Sequence, residues 1–278
     1  MPDAPRLKAM TSTEILDGAF RLYRNNFATF LGILAIAYVP IIALMMVATS
    51  VLLAGVESRP IDPAPGELPP EVVTLLIVGG VGVLLYSLVA MPLATGALTR
   101  AVGARYIHEP TSIGDAYRHV LRVFGKYLGT TILSGLVIGL GFLFCLVPGF
   151  FFMTWFFASA PVCVLEGLAG TAAMGRSREL VRGHGGRVFG LLFLMILLQN
   201  VIAAPVNFGA DFLSGLLIES LVLRNLVSMA VQQSFNLLIT PFFSVVVILL
   251  YYDLRIRKEA FDLEVLAKSL GKAAPATP

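Results

Sequence analysis

Charged residues are scarce in this chain. Asp, Glu, Lys and Arg make up 13% of its 278 residues, whereas they make up about 25% of a typical soluble domain. Apolar residues reach 57% even without the 26 glycines, above the roughly 45–50% that soluble domains reach with glycine included. This composition excludes an ordinary water-soluble domain and predicts that most of the chain lies in lipid.

Residue types that usually carry chemistry are also few. The two cysteines, Cys145 and Cys163, lie in apolar runs and lack the spacing of a metal site or a redox pair. The three histidines fit no metal-binding pattern, and the sequence has no nucleophile elbow, phosphate-binding loop or pair of acids within an apolar run. We therefore expect no catalytic residues, no metal ion and no cofactor, which means that the chain is not an enzyme.

The sequence has instead six apolar runs without Lys, Arg, Asp or Glu. A helix crosses the ~30 Å hydrocarbon layer of a bilayer in about 20 residues, with a range of about 17–25. The runs cover approximately residues 29–55, 73–98, 128–146, 149–165, 188–208 and 226–252. We expect an all-α, polytopic membrane protein with a single transmembrane domain over residues 1–270 and a disordered tail over residues 271–278.

The connections between these runs differ in the structure that they predict. The segment CLVPG at 145–149 predicts a tight turn between the third and fourth spans. Residues 57–71 contain five prolines and four acids, which predicts an extended, solvated loop. Residues 210–226 are apolar but include two acids and an arginine, and we expect them to form a helix lying in the outer interface rather than a seventh span.

Basic residues are unevenly distributed between the two sides of such a bundle. All Lys and Arg residues except Arg59 and Arg224 fall in the N-terminal segment, the second-to-third connection, the fourth-to-fifth connection or the C-terminal tail. Lys and Arg concentrate on the cytoplasmic side of a membrane protein. We therefore expect six spans arranged as three hairpins in the bacterial inner membrane, with both termini cytoplasmic.

An amphipathic basic segment precedes the first, third and fifth spans. The first two, at residues 11–27 and 111–127, place apolar side chains on one helical face, and the third, at residues 170–189, is interrupted by glycines. Helices of this kind lie in the headgroup plane with their cations directed outward. The basic residues that we expect to face anionic lipids are Arg21, Arg24, Arg118 and Arg122.

The second, fourth and sixth spans each contain a proline, namely Pro92, Pro161 and Pro241. A proline removes a backbone hydrogen bond from a membrane helix, so we expect kinks at these positions. With the amphipathic segments, the prolines indicate three copies of one unit, although independent convergence on arginine-rich connections is the alternative. Transporters use broken helices around their binding sites, but proline is frequent in membrane helices generally.

Amide side chains interrupt the fifth and sixth spans. They are Gln199, Asn200, Gln232, Gln233 and Asn236. Two interpretations stay open for them: hydrogen bonds between the two spans, worth about 0.6 kcal/mol each on average, or a polar patch that lines a cavity for the headgroup of a substrate. None of these residues ionises, so we expect no proton relay through them.

Charged residues cluster where the spans end on the inner side. The residues of this inner-face cluster are Glu166, Arg176, Arg178, Asp253, Arg255 and Arg257. We expect ion pairs between the fourth-to-fifth connection and the C-terminal tail. Tyr251 and Tyr252 precede the last charges, and tyrosine is typical of the headgroup level of a membrane, so we expect the chain to enter water from Asp253 onward.

Three segments together resemble a known family, the membrane domain of glycerophosphoryl diester phosphodiesterase. They are EILDGAFRLYRNNF near the start, PVCVLEGLAGTAAMGRSRELVRG in the middle and YYDLRIRKEAFDLEVLA at the end, and their order is similar to that family over roughly the whole chain. In that family the membrane domain sometimes precedes a soluble phosphodiesterase domain and often stands alone. Because the sequence ends at Pro278, soon after its last helical pattern, the resemblance implies the topology and not the phosphodiesterase activity.

These observations favour a non-enzymatic protein of the bacterial inner membrane that organises lipids, above all anionic ones, or partner proteins in the membrane or the cytoplasm. The alternative is a small transporter or permease component with an amide-lined cavity between the last two spans. An intramembrane lipid-modifying enzyme has the least support. Topology and lipid anchoring explain the basic connections, so we expect no nucleic acid partner, and the sequence predicts no particular oligomeric state.

Overall fold

The computed structural model describes residues 9–57 and 70–259, which form α-helices, one π-helical segment and short connections. The helices are α1 (Ser12–Asn25), α2 (Phe27–Glu57), α3 (Pro70–Leu85), α4 (Met91–Tyr106), α5 (Ile113–Phe144), α6 (Leu146–Phe156), α7 (Ser159–Glu166), α8 (Gly170–Val181), α9 (Gly185–Leu217) and α10 (Leu221–Glu259), and the π-helical segment is Tyr86–Ala90. No strand occurs among the described residues, so the prediction of an all-α chain is confirmed for them. Residues 58–69, most of the predicted loop, and the predicted tail lie outside the described residues.

Six helical stretches are long and apolar enough to cross a membrane, as the sequence predicts. They are Phe27–Val51, Ile77–Tyr106, Ile113–Phe144, Leu146–Glu166, Gly185–Leu217 and Leu221–Glu259. The chain is therefore consistent with a multi-pass membrane protein. The predicted third span forms one continuous helix, α5, with most of the amphipathic segment before it. Gly125 and Gly129 do not interrupt α5, because a glycine inside a helix costs only about 1 kcal/mol.

The helices of the three amphipathic segments bury the same positions, although only the first two have a side-chain cap at their start. Thr11 forms a capping box with Glu14 at the start of α1, and Ser112 accepts a hydrogen bond from the Asp115 amide at the start of α5. The N-cap of α8 is Ala169. The residues four and eight positions after each N-cap are fully buried, and they are Ile15, Ala19, Ala116, Val120, Ala173 and Ser177. The three helices therefore pack onto the bundle in the same register.

The prediction of a separate interfacial helix over residues 210–226 is wrong. Helices α9 and α10 continue into this segment from both sides and leave only a three-residue break between them. Asp211 accepts a hydrogen bond from Gln232 Nε2 at 3.1 Å, and the hydroxyl oxygens of Ser214 and Ser228 are 2.7 Å apart. These contacts join Asp211 and Ser214 of α9 to the neighbouring helix α10.

A single extended residue, Cys145, joins α5 to α6, with φ −171° and ψ 154°. The rest of the predicted CLVPG turn belongs to the first turn of α6, where the missing amide hydrogen of Pro148 needs no helical partner. The two helices approach each other closely at glycines. A Cβ atom on Gly141 would lie 3.0 Å from Gly149 Cα and 2.7 Å from Phe152 Cδ2, so a side chain there would push the helices apart.

The buried core lies at one end of the bundle, which we call the basal end and define as α1, the first half of α5, α7, α8 and the ends of α4 and α10. Between residues 245 and 254, α10 is almost continuously buried there. Large apolar side chains are exposed at the opposite end, where Phe144 is 83% and Leu217 is 76% exposed. Apolar surface of this extent is typical of a protein that meets lipid rather than water.

Candidate functional site

Asp253 is fully buried at the basal end, so the prediction that the chain enters water from this residue onward is wrong. Its carboxylate pairs with Arg257 at 3.0 Å and with Arg187 at 3.2 Å, and it accepts a hydrogen bond from the backbone amide of Met10 at 2.7 Å. Both arginines also donate to the Met10 carbonyl. One buried carboxylate therefore joins the segment before α1, the start of α9 and the end of α10.

A second ion-pair cluster surrounds Glu166 at the end of α7. Arg176 of α8 donates to Glu166 at 3.0 Å and also pairs with Glu259 at the end of α10. Arg255 lies 3.1 Å from Glu259 and 3.8 Å from Glu166, and the Tyr251 hydroxyl donates to Glu166 at 2.7 Å. Burial lowers the pKa of Arg176, but hydrogen bonds to the two glutamates outweigh burial and raise this pKa above its usual value. The guanidinium therefore stays charged.

Of the predicted inner-face cluster, only Arg178 lies in neither network. Its guanidinium carbon is 4.2 Å from the centroid of the Trp155 ring, which is a cation–π contact. Tyr251 and Tyr252 are buried in protein rather than exposed to headgroups, and the Tyr252 ring packs against Tyr106 with centroids 4.9 Å apart. The physical reason is that helices at the basal end cover the end of α10.

The four arginines predicted to face lipid are exposed on α1 and α5. They are Arg21, Arg24, Arg118 and Arg122. Arg118 is 3.4 Å from Asp115 on its own helix. The other three make no ion pair with the residues that the structure describes, so their charges are available to a ligand.

Two of these arginines occupy equivalent positions. Arg21 and Arg122 each lie ten residues after the N-cap of their helix. An exposed apolar side chain precedes each of them, because Phe20 is 55% exposed and Leu121 is 59% exposed. The structure thus repeats one arrangement, an apolar side chain followed by a cation, on two helices of the basal end.

The amide side chains of α10 make separate contacts. Gln232 donates to Asp211 of α9, whereas Asn236 donates to Gln233 at 3.2 Å within its own helix. Within residues 9–57 and 70–259, no amide of α9 bonds directly to an amide of α10. A serine pair and an amide–carboxylate contact join the two helices instead.

A cavity of about 270 Å³ lies among α4, α5, α7, α9 and α10. Its polar side chains are Thr95, Thr99, Tyr127, Gln199, Thr240 and Ser244, and no charged side chain lines it. Of the five predicted amides, only Gln199 reaches this cavity. Asn200 instead donates to the Ile196 carbonyl of its own helix at 2.8 Å. The cavity therefore differs from the amide-lined space between the last two spans that the transport hypothesis predicts.

The three prolines predicted to kink the spans are all buried. Pro92 follows the π-helical segment, and Pro161 lies in the first turn of α7, just after the break from α6. Helix α10 continues through Pro241, and the Tyr23 hydroxyl of α1 donates to the nearby Leu238 carbonyl at 2.7 Å. Two of the three prolines thus coincide with interrupted helices.

Sequence reasoning missed the hydroxyl residues of the cavity. Thr95 and Thr99 on α4, like Thr240 and Ser244 on α10, are four residues apart and so share a helix face. That spacing could have indicated a polar helix face in each span. The sequence around Tyr127 has no pattern that predicts a cavity residue. Among the residues that the structure describes, no three His, Cys, Asp or Glu side chains form a group that could hold a metal ion.

No protein-family model matches this chain, and no curated protein or solved structure is significantly similar to it. The resemblance to the membrane domain of glycerophosphoryl diester phosphodiesterase therefore stays a prediction. A function for this chain therefore has to be inferred from the exposed arginines, the buried ion pairs and the cavity.

Proposed function

We propose that this chain is a non-enzymatic protein of the bacterial inner membrane that binds and organises anionic lipids, with six spans in three hairpins and both termini in the cytoplasm. The observation that carries the proposal is the repeated pair of exposed residues, Phe20–Arg21 on α1 and Leu121–Arg122 on α5. Such a pair directs an apolar side chain toward acyl chains and a cation toward the headgroup.

The energetics favour anionic headgroups. Each basic residue near a membrane surface is attracted to anionic lipids by about 1 kcal/mol. Arginine also binds phosphate through two parallel hydrogen bonds, because its guanidinium group is a planar fork of donors. The Asp253 network binds the segment directly before α1, which carries Arg21, and buried Ala116 and Val120 pack α5, which carries Arg122, onto the bundle.

Replacement of both Arg21 and Arg122 by Gln is expected to weaken the binding of phosphatidylglycerol. The expected loss is about 2 kcal/mol for the two charges, or about 30-fold in the binding constant. Native mass spectrometry of protein purified in mild detergent, titrated with phosphatidylglycerol and phosphatidylcholine, measures this selectivity. Arg224→Gln, at the opposite end of the bundle, is the matched control and keeps the selectivity of the unmodified protein. Unchanged selectivity in the double variant would contradict the proposal.

Cysteine labelling tests the membrane orientation. In a background with Cys145→Ala and Cys163→Ala, we expect Ser220→Cys, between α9 and α10, to react with a membrane-impermeant maleimide in intact spheroplasts. Thr13→Cys on α1 should react only after lysis, since the proposal places α1 in the cytoplasm. Both positions are exposed. Labelling of Thr13→Cys in intact spheroplasts, or labelling of Ser220→Cys only after lysis, rules out the proposed topology.

The transport alternative requires the amide residues to line one passage between the last two spans. In the part of the chain that the structure describes, these residues make separate contacts, and one of them reaches the cavity. We therefore prefer lipid binding. Movement of a solute by the purified protein in liposomes would favour the transporter.

A further inference from the structure

The cavity among α4, α5, α7, α9 and α10 has the polarity of a binding site. Half of the side chains that line it carry a hydroxyl or an amide, and none carries a charge. Polar cavities in proteins hold water when no ligand is bound, and a ligand that replaces this water has to reproduce its hydrogen bonds. A charged ligand would find no counter-charge among the lining side chains. The occupant that fits is therefore polar but uncharged.

The hydroxyl hydrogens of the cavity are already used within the protein. Thr99, Thr240 and Ser244 each donate to the carbonyl four residues earlier in their own helix, at 2.7–3.0 Å. Thr95 likewise donates to a carbonyl of α4 at 2.9 Å, and its Oγ1 lies 3.2 Å from the Tyr127 hydroxyl, a contact in which either oxygen can be the donor. Most hydroxyl oxygens of the wall therefore accept hydrogen bonds and have no hydrogen left to donate.

Two further groups shape the wall. Pro161 lines the cavity and has no amide hydrogen to donate. Gln199 makes no hydrogen bond with the described residues, and its amide offers both donors and an acceptor. A hydroxyl group fits this set, because it donates to the oxygens of the wall and accepts from the Gln199 amide.

The cavity is too small for a whole lipid, but apolar surface continues from it. Ile196 and Ile202 lie one turn before and one turn after Gln199 on the same face of α9, and they are 38% and 43% exposed. In a bilayer this face meets acyl chains. A lipid can therefore place a small polar end in the cavity while its chains lie along α9.

We propose that this cavity binds the polar end of an uncharged lipid with a free hydroxyl group, such as a diacylglycerol. The inference rests on the proposed membrane location. The protein would then have two lipid ligands: anionic lipids at the basal end and an uncharged lipid in the cavity.

Three probe lipids with the same acyl chains test the inference on the unmodified protein. They are dioleoylglycerol, its acetyl ester, which lacks the hydroxyl donor, and dioleoylphosphatidic acid, which carries the charge. Native mass spectrometry should show a preference of about tenfold for dioleoylglycerol over its acetyl ester, because an ester without the donor leaves buried acceptors unpaired. Phosphatidic acid can also bind the basal arginines, so it is added as a competitor and should not displace dioleoylglycerol. Absence of saturable dioleoylglycerol binding, equal binding of the acetyl ester, or displacement by phosphatidic acid overturns the inference.

A pair of neighbouring amides supplies the matched variants. Gln199→Leu removes the amide on the cavity wall and should weaken dioleoylglycerol binding about fivefold, the value of one neutral hydrogen bond. Asn200→Leu, on the same helix but outside the cavity, should keep the affinity of the unmodified protein. Ala160→Leu fills the cavity and should abolish binding. Equal losses in the two amide variants contradict the inference, and thermal unfolding identifies any variant that has lost its fold.

The same preparations separate this inference from the proposed function. The double variant of Arg21 and Arg122 should lose selectivity for phosphatidylglycerol and keep dioleoylglycerol binding, whereas Gln199→Leu should do the reverse. If the unmodified protein binds dioleoylglycerol without selecting phosphatidylglycerol, the proposed lipid surface is wrong and the cavity site stands. The opposite pattern removes the cavity site and leaves the surface.

Discussion

Asp253→Asn is expected to lower the free energy of unfolding by about 3 kcal/mol, at the lower end of the range for breaking a buried ion pair. The carboxylate is fully buried and balances both Arg187 and Arg257. Without its charge, two guanidinium groups share one site with no counter-ion. Both arginine side chains are partly exposed and can turn toward water, which keeps the loss below the upper end of that range.

Unfolding by SDS in mixed micelles measures this loss. Trp155 is the single tryptophan of the chain, and it lies beside Arg178, so its fluorescence reports on the helices near the basal end. Asp17→Asn is the control, because Asp17 is exposed on α1 and makes no ion pair with the described residues. It should change stability by less than about 0.5 kcal/mol. A loss for Asp253→Asn no larger than this would show that the buried network does not stabilise the fold.

Gly141→Val is also expected to lower the free energy of unfolding by about 3 kcal/mol, the upper end of the usual cost of overpacking. The new Cβ would lie 2.7 Å from Phe152 Cδ2 and 3.0 Å from the Cα of Gly149. The Phe152 ring can rotate, but the backbone at Gly149 can move away only if α6 separates from α5. The lost free energy of unfolding therefore comes from weaker packing between α5 and α6.

Gly139→Val is the matched control on the same helix. A Cβ at Gly139 meets no atom within 4 Å, so this variant should change stability by less than about 0.5 kcal/mol. The same titration with SDS compares the two variants. Similar losses at both positions would mean that a β-branched residue in this part of α5, rather than the close approach of α6, causes the effect.

Local properties of the fold could be predicted from the sequence. A span depends on the composition of one run of residues, and the structure has the six expected stretches. The start of α1 depends on Thr11 and Glu14, three residues apart, and the capping box is present. Element boundaries were harder to predict, because α5, α9 and α10 continue wherever a neighbouring helix satisfies their polar residues.

The burial of Asp253 could not be predicted in the same way. The preceding tyrosine pair matches the pattern of a membrane boundary, and the spacing of four to Arg257 was the one readable sign of an ion pair. The other partners, Arg187 and Met10, lie in distant parts of the sequence. Their contacts with Asp253 depend on how the helices pack, and a local sequence pattern carries no information about that packing.

The candidate cavity illustrates a similar limit. An amide side chain in an apolar run is conspicuous because it is costly in lipid. Amides are therefore stronger candidates for cavity residues, judged from the sequence, than threonine or serine. Yet five hydroxyl side chains and only one amide line the cavity. Their hydroxyl hydrogens bond to carbonyls of their own helices or to one another, which makes these residues inexpensive in a span and inconspicuous in the sequence.

The contact between Met10 and Asp253 joins residues 243 positions apart, and this separation has a consequence for the order of assembly. The ribosome makes α1 before the end of α10, so the backbone amide of Met10 acquires its partner, Asp253, only after most of the described helices have been made. Among the described residues, the helix that is made last therefore binds the segment that precedes the helix made first. A nascent chain halted just before residue 253 therefore lacks the carboxylate that binds the Met10 amide, although Leu238, the partner of Tyr23 on α1, has already been made.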